Sequence, residues 1–343
     1  MSSIGICLTS KNNYSMLEEW LSLYDYSNIK ILNIDVGSDD SNIELGRKMC
    51  RKYGVNFIES KDPGMQICLD QASDFFFRSD INWFIYTHQD TYPLTENFFQ
   101  ILSDSYLNFL DKSSLGMIGF NIYHDDNDLK HWDKDKLKYM TLCRSPLELG
   151  DGYYRINKTS RVDYNKFIKK KPFLIEIPMW STVLFSVDTF KKYIKPDIDF
   201  QFFLSVDDIA MQFLKNNIPN IAIPELAFAH DQSLKLNHKL PYKSPILNKE
   251  EREKLYGRFD HSLIWKKKWG FRYNVYKKLA GIPIFWRKII LKILNFIFTD
   301  NFLETIGRKE FKLLKNRYEN TLLISFFNHD PKNGPYKYYD IKK

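Results

Sequence analysis

WFIYTHQDTYPLT, from Trp83 to Thr95, is the stretch on which the reading of the fold turns. Trp83 to Thr87 is an apolar, β-prone run, and His88, Gln89 and Asp90 follow it directly. Pro93 lies three residues past Asp90; proline cannot donate to a ladder, so no further strand is expected there. A buried strand therefore ends by presenting a histidine, a glutamine and an aspartate to solvent. One reading is an ordinary polar turn, since Asp and Pro are turn residues. The other places a metal ion on Asp90, at the carboxyl end of a parallel strand, where open α/β sheets hold their ligands.

Upstream the pattern repeats. IGICLTS is a short apolar β run, and YSMLEEWLSLYDY carries Met16, Leu17, Trp20, Leu21 and Tyr24 on a helical stripe. IKILNID is a second strand that breaks at Gly37, NIELGRKMCRKYG a helix closed by Gly54, VNFIES a third strand, and MQICLDQASDFFF a helix leading into the quoted strand. Strands alternating with helices of about 10–15 residues predict an α/β fold with a mostly parallel, doubly wound sheet.

Downstream, TENFFQILSDSYLNFL reads as a helix from Thr95 and LGMIGFNIY as a fifth strand. The run from His124 to Lys171 is polar and irregular, a long insertion or surface loop. FLIEIPMWSTVLFSVDTFKKYI predicts a strand pair running into a helix, DDIAMQFLKNN a short helix and IAIPELAFAH a last strand.

At 44% apolar and 16% aromatic residues, the 343-residue chain can bury a large core, which excludes intrinsic disorder. Its four cysteines show no metal or redox spacing and fit a reducing compartment. MSSIGICLTS has no basic segment followed by an apolar one, so no secretory leader is expected and a cytoplasmic location is. No apolar run reaches the roughly 18 residues needed to span a bilayer. The net charge of +8 is unevenly spread: residues 251–343 hold 21 Lys+Arg against 9 Asp+Glu, and the rest holds 29 against 33. A mildly acidic body with a basic tail points to an anionic partner.

The second strand opens into NIDVGSDDSN, which places Asp35, Gly37, Ser38 and Asp40 at a strand-to-helix loop. Carboxylates there can accept from a nucleobase or ribose; equally, Gly-Ser-Asp-Asp-Ser makes a turn and an N-cap. LTSKNN stands after the first strand where a dinucleotide fold would have G-x-G-x-x-G, and no P-loop occurs. A diphosphate bound here would need a cation, and Mg²⁺ or Mn²⁺ prefers carboxylate and phosphate oxygens.

IGICLTSKNN, NIDVGSDD, WFIYTHQD and VDDIAMQFLKNNIPNIAIPELAFAH follow one another in an order that resembles GT-A-fold glycosyltransferases, especially the large family 2 group. The resemblance covers about Ile4 to His230. It implies nucleotide contacts at Asp35, Ser38 and Asp40, with Thr9 and Asn12 near the base. The family's Asp-x-Asp motif becomes His88-Gln89-Asp90, which implies metal binding by Asp90 and an added ligand or ribose contact at His88. Relatives that transfer deoxysugars such as rhamnose are similar in having Gln-Asp here. The acceptor-side acidic pair corresponds to Asp207 and Asp208, and the resemblance implies that Asp208 is the general base, with Asp207 beside it. On their own, two acids at a helix start simply oppose its dipole. His230, ending the last strand, reads as a metal ligand or a polar terminus; Trp180 reads as a sugar-stacking platform at the acceptor or as core.

Between Asp260 and Asp300 there are nine basic residues and no acid. FWRKIILKILNFIF has the basic and apolar faces of a helix lying in a membrane interface; the other reading is a helix packed on the core. The expected organisation is a catalytic domain over residues 1–245, with a nucleotide-sugar half to 123 and an acceptor half from 124, and a basic helical region over 246–343. The expected function is metal-dependent, inverting sugar transfer from a nucleotide-diphosphate sugar to a glycan or lipid-linked glycan, at the inner membrane face and in cell-surface polysaccharide synthesis. Two other readings stand beside it: an inactive nucleotide-sugar-binding protein, because His88 breaks the motif, and a nucleic-acid-binding protein using the tail, which lacks any motif.

Overall fold

Alternating burial along the first strands sorts the core into two layers. The computed structural model describes residues 3–22, 26, 28–60, 64–124, 140–141, 143–144, 171–179, 181–200, 204–230, 261–271, 286, 289–290, 293, 309–329 and 336–341. Strand β1 (Ile4–Ser10) lies between β2 (Lys30–Asp35) and β4 (Trp83–Thr87), and β3 (Asn56–Glu59) borders β2; all these pairs are parallel. On one face Ile6, Leu8 and Ile31 pack with Leu17 and Trp20 of α1 (Tyr14–Ser22) and Met49 and Cys50 of α2 (Asp40–Lys52). On the other, Cys7, Leu32 and Ile34 pack against Cys68, Leu69 and Phe76 of α3 (Met65–Arg78). A period of two on the strands and of 3.6 on the helices produces this doubly wound half.

The remaining half is mixed. β5 (Thr91–Pro93) is followed by α4 (Phe98–Leu102), a π turn over Ser103–Leu107, and β6 (Met117–His124). After the short strands β7 (Met140–Thr141), β8 (Cys143–Arg144), β9 (Phe173–Ile175) and β10 (Ile177–Pro178) come β11 (Thr182–Ser186), α5 (Val187–Tyr193), α6 (Ser205–Lys215) and β12 (Asn220–His230). The main path is β3-β2-β1-β4-β11-β6-β12-β5, and six of its eight strands run in one direction, with β11 and β5 reversed. The protein is thus α/β, with a central, mostly parallel sheet flanked by helices.

Two local expectations are corrected. Thr91–Pro93 does form a strand: β5 sits at the sheet edge, antiparallel to β12, with Thr91 opposite His230. An edge strand tolerates a proline, and the Trp20 indole donates to the Thr91 carbonyl at 2.8 Å. The helix after it begins at Phe98, because Asn97 is left-handed at φ 53°, and the Thr95 hydroxyl accepts from the Ala227 amide at 2.9 Å. That amide follows a bulge in β12 between Ile223 and Ala227, where Pro224 cannot join the ladder.

The C-terminal region contributes α7 (His261–Trp269), α8 (Lys315–Tyr318) and α9 (Leu322–Asn328). Trp265, Trp269, Phe271, Phe311, Tyr318, Leu323 and Phe327 belong to the same hydrophobic cluster as the sheet. The last described residues run along β9, where the Leu174 amide donates to Lys337 O and the Tyr339 amide to Pro172 O, both at 2.8 Å. Among the described residues no helix is long and apolar enough to cross a membrane. Most of the interfacial helix expected over 285–298, of which only 286, 289–290 and 293 are described, and most of the His124–Lys171 insertion lie outside the described residues.

Candidate metal centre

Two chain segments bring the predicted ligands together. β4 ends at Thr87, and the following turn, closed by the Thr91 amide on the His88 carbonyl at 3.1 Å, carries His88 and Asp90. β12 delivers His230 from the far side of the sheet. The Asp90 carboxylate lies between the two rings, 3.4 Å from His230 Nε2 and 3.9 Å from His88 Nδ1. One ligand atom from each residue falls within 4.8 Å of the others. Donors sharing one ion about 2.1 Å away lie no more than about 4.2 Å apart, so small side-chain rotations close the gap. Against expectation, these side chains are not simply presented to solvent: His88 and Asp90 are mostly covered, and His230 is buried.

The electrostatics suit a cation. Burial drives the His88 pKa down to about 4, with Asp90 opposing and His230 reinforcing the shift, so the ring is neutral near pH 7 and offers a lone pair. For Asp90 burial acts upward, yet the two histidines outweigh it and the carboxyl falls to about 2. Two imidazoles and a carboxylate form a mixed nitrogen–oxygen set, which suits Mn²⁺ better than Mg²⁺, an ion that prefers oxygen ligands throughout.

The predicted nucleotide residues gather beside this turn, at the carboxyl ends of β1 and β2. The Asn12 amide donates to Ser38 Oγ at 2.8 Å, and Asn12 Oδ1 accepts from the Asp39 amide at 2.9 Å, which locks the two loops to each other. Asn12 is held left-handed at φ 51° and Gly37 at φ 87°. Asp35 is fully buried; Oδ1 accepts from the Gly37 and Ser38 amides at 3.0 and 2.9 Å, and Oδ2 from the Tyr14 hydroxyl. Burial and that bond to Asp35 push the Tyr14 phenol well above its ordinary range. Asp40 is exposed on the first turn of α2, and Thr9 pairs with the Tyr86 hydroxyl at 3.3 Å.

Asp207 and Asp208 start α6 and are both buried. Asp208 accepts from Gln66 Nε2 at 3.0 Å, Gln212 Nε2 at 2.8 Å, Lys268 Nζ at 2.7 Å and Trp269 Nε1 at 2.8 Å. Burial raises its pKa; the Lys268 ammonium and the amide donors oppose that rise. Lys268 also meets Asp197 at 2.8 Å. Trp180 lies outside the described residues.

Several partners escaped the sequence. Gln89 donates to Ser10 Oγ, which in turn donates to Asn33 Oδ1 at 2.5 Å, tying the β4 turn to β1 and β2. A polar residue inside the apolar run ILNID was the one visible sign. Asp39, not singled out, caps α2 by accepting from the Asn42 amide at 3.0 Å. Lys268 stands in a run of basic residues that gives no sign of its buried partner.

No family model matches the chain, and no curated protein matches it. Among solved structures, it is similar to "GalNAc-T7 with UDP, GalNAc and Mn2+", with a TM-score of 0.47, 11% identity, and coverage of 67% of this chain and 44% of that one. It is also similar to S. aureus TarS 1-349, with a TM-score of 0.39, 12% identity, and coverage of 67% and 60%. For the complex of TarS 1-349 with UDP the TM-score is 0.40 at 12% identity, with coverage of 67% and 61%. The chain spans less than two thirds of each of these proteins. What the fold and site define by themselves is an α/β protein with a candidate divalent-metal centre at the carboxyl edge of its sheet.

Proposed function

We propose that the protein is a metal-dependent glycosyltransferase of the GT-A type that takes a nucleotide-diphosphate sugar and transfers the sugar, with inversion, to a glycan or lipid-linked glycan at the cytoplasmic membrane face. The observation that carries this reading is the convergence of His88, Asp90 and His230 beside loops of nucleotide-binding pattern. A Mn²⁺ ion held there would neutralise charge developing on a departing diphosphate. Asp35 acts by holding its loop in shape, so that Ser38, Asp40, Asn12 and Thr9 form the nucleotide side. A single domain over residues 1–245, completed by packing of the basic region, is part of the same reading, as is Trp180 at the acceptor.

The acidic pair at the head of α6 supplies the base in this scheme. A base must reach the acceptor hydroxyl, and four donors already occupy Asp208. Asp208 can take that part only once Lys268 or Gln66 stops donating to it, which frees a carboxylate lone pair to accept from the acceptor hydroxyl. Thermal unfolding across a panel of nucleotide diphosphate sugars, with Mn²⁺, Mg²⁺ or Zn²⁺, tests the reading, because a ligand that prefers the folded state raises the melting point. One donor should stabilise the protein only with metal, and Asp90→Ala should abolish that response. Equal melting points throughout would reject it.

A further inference from the structure

Two of the most exposed large apolar side chains among the described residues lie in the C-terminal region, Leu263 at 63% and Leu313 at 81%. They stand among cations. Lys266 and Lys267 are exposed on α7, Lys312 and Lys315 flank Leu313, and Glu319 is the only exposed acid among the described residues of 261–329. The two segments adjoin. Arg317 Nη2 donates to the Lys268 carbonyl at 2.9 Å, the Tyr318 hydroxyl donates to the Trp269 carbonyl, and a side chain at Gly270 would touch Leu314 and Arg317. Trp265, Trp269 and Phe311 are meanwhile buried, so the aromatic residues of this basic region build the core while lysines and leucines are left outside.

We infer that this face, formed by Leu263, Lys266 and Lys267 of α7 with Lys312, Leu313 and Lys315, docks on an anionic lipid surface. It is a different patch from the helix expected over 285–298, and it does not depend on the metal site or on sugar transfer. Charge complementarity names the partner: lysines meet anionic headgroups, each strengthening attachment about fivefold. The leucines favour a bilayer over a nucleic acid, because an aliphatic side chain gains by entering the acyl boundary and has nothing to enter on a phosphate backbone. Docking here would seat the sheet beside the membrane through the same α7 that grips Asp208.

The test is co-sedimentation of the full chain with vesicles of phosphatidylcholine alone and with about 30 mol% phosphatidylglycerol, at low and high salt. Binding is expected on the anionic vesicles only and should weaken as salt rises. Combined replacement of Lys266, Lys267, Lys312 and Lys315 by Glu should lower partitioning by at least about a hundredfold. Leu313→Ser alone should lower it by about tenfold with an unchanged melting point. Lys267→Glu alone provides the milder charge variant should the combined one not fold. Equal binding to neutral vesicles, or no response to Lys267→Glu and Leu313→Ser, would overturn the inference. Binding of single-stranded RNA that Leu313→Ser leaves intact, without vesicle binding, would overturn it in favour of a polyanion site.

Discussion

Asp90 and Asp208 are both covered carboxylates reached from the carboxyl side of the sheet, and they are treated in opposite ways. Asp208 is enclosed by four protein donors at 2.7–3.0 Å, two of them from α7, some sixty residues further along the chain. Asp90 has two imidazole nitrogens at 3.4 and 3.9 Å and accepts from the Thr91 hydroxyl at 3.3 Å, all longer than the bonds that enclose Asp208. A carboxylate whose lone pairs are taken holds the structure together. One surrounded by converging ligand atoms at loose distances is suited to receive an ion. The contrast sets a carboxylate that must shed a donor before it can take part in chemistry against one already open to a ligand.

Removing each carboxylate should therefore have opposite consequences. Asp208→Ala leaves the Trp269 indole without its acceptor and takes one acceptor each from Lys268, Gln66 and Gln212, which keep Asp197, Ser205 O and Lys195 O; losing these charge-assisted bonds should cost about 3 kcal/mol, measurable by urea unfolding. Without metal, Asp90→Ala should be the milder change, losing only the contacts to two imidazoles and the Thr91 hydroxyl. If Asp208→Ala were as harmless, the four-donor site would not be structural.

Metal gives the converse result. At a Mn²⁺ concentration a hundredfold above its dissociation constant, the parent should gain about 2.7 kcal/mol, and Asp90→Ala and His230→Ala should gain almost nothing. Chelation with EDTA should return the parent to its starting melting point.

Smaller effects probe the nucleotide loops. A side chain at Gly46 would run into the Tyr14 ring, whose hydroxyl holds Asp35. Gly46→Ala should cost about 1–3 kcal/mol by overpacking. Tyr14→Phe keeps the ring and removes the bond, at about 1 kcal/mol. Comparing the two by thermal unfolding separates the packing from the polar contact.

The smallest effect is a pH dependence. The Ser41 hydroxyl and the Asn42 amide lower the Asp39 pKa to about 2 in the folded protein, below its ordinary value near 3.9. A depressed folded pKa adds stability that is fully present above the unfolded value and is lost as pH falls through the folded one. Asp39→Ala should thus differ from the parent at pH 6 and converge with it between about pH 4 and 2, as followed by circular dichroism.

The first half of the fold was legible because each strand-helix unit carries its own periodicity and its own stop: Gly37 after β2, Gly54 after α2. The turn at His88–Asp90 was legible as a break in an apolar run. Thr91–Pro93 was misread because proline excludes a central strand and not an edge one, and edge position follows from the whole sheet. The grip of Lys268 and Trp269 on Asp208 was invisible for a similar reason: it joins helices about sixty residues apart, and a lysine in a basic run looks solvated until its partner is placed. Asp35 was visible as a loop carboxylate, but its saturation by Tyr14 and two amides depends on how α1 packs across the sheet.

The claim on which the rest stands is that His88, Asp90 and His230 share one divalent ion. Titration of Mn²⁺ into the protein, followed by electron paramagnetic resonance of the free ion, tests it most directly. One site per chain is predicted, with affinity falling more than about tenfold in each of His88→Ala, Asp90→Ala and His230→Ala. Stoichiometric binding that survives all three substitutions, or no binding to the parent protein, would contradict it.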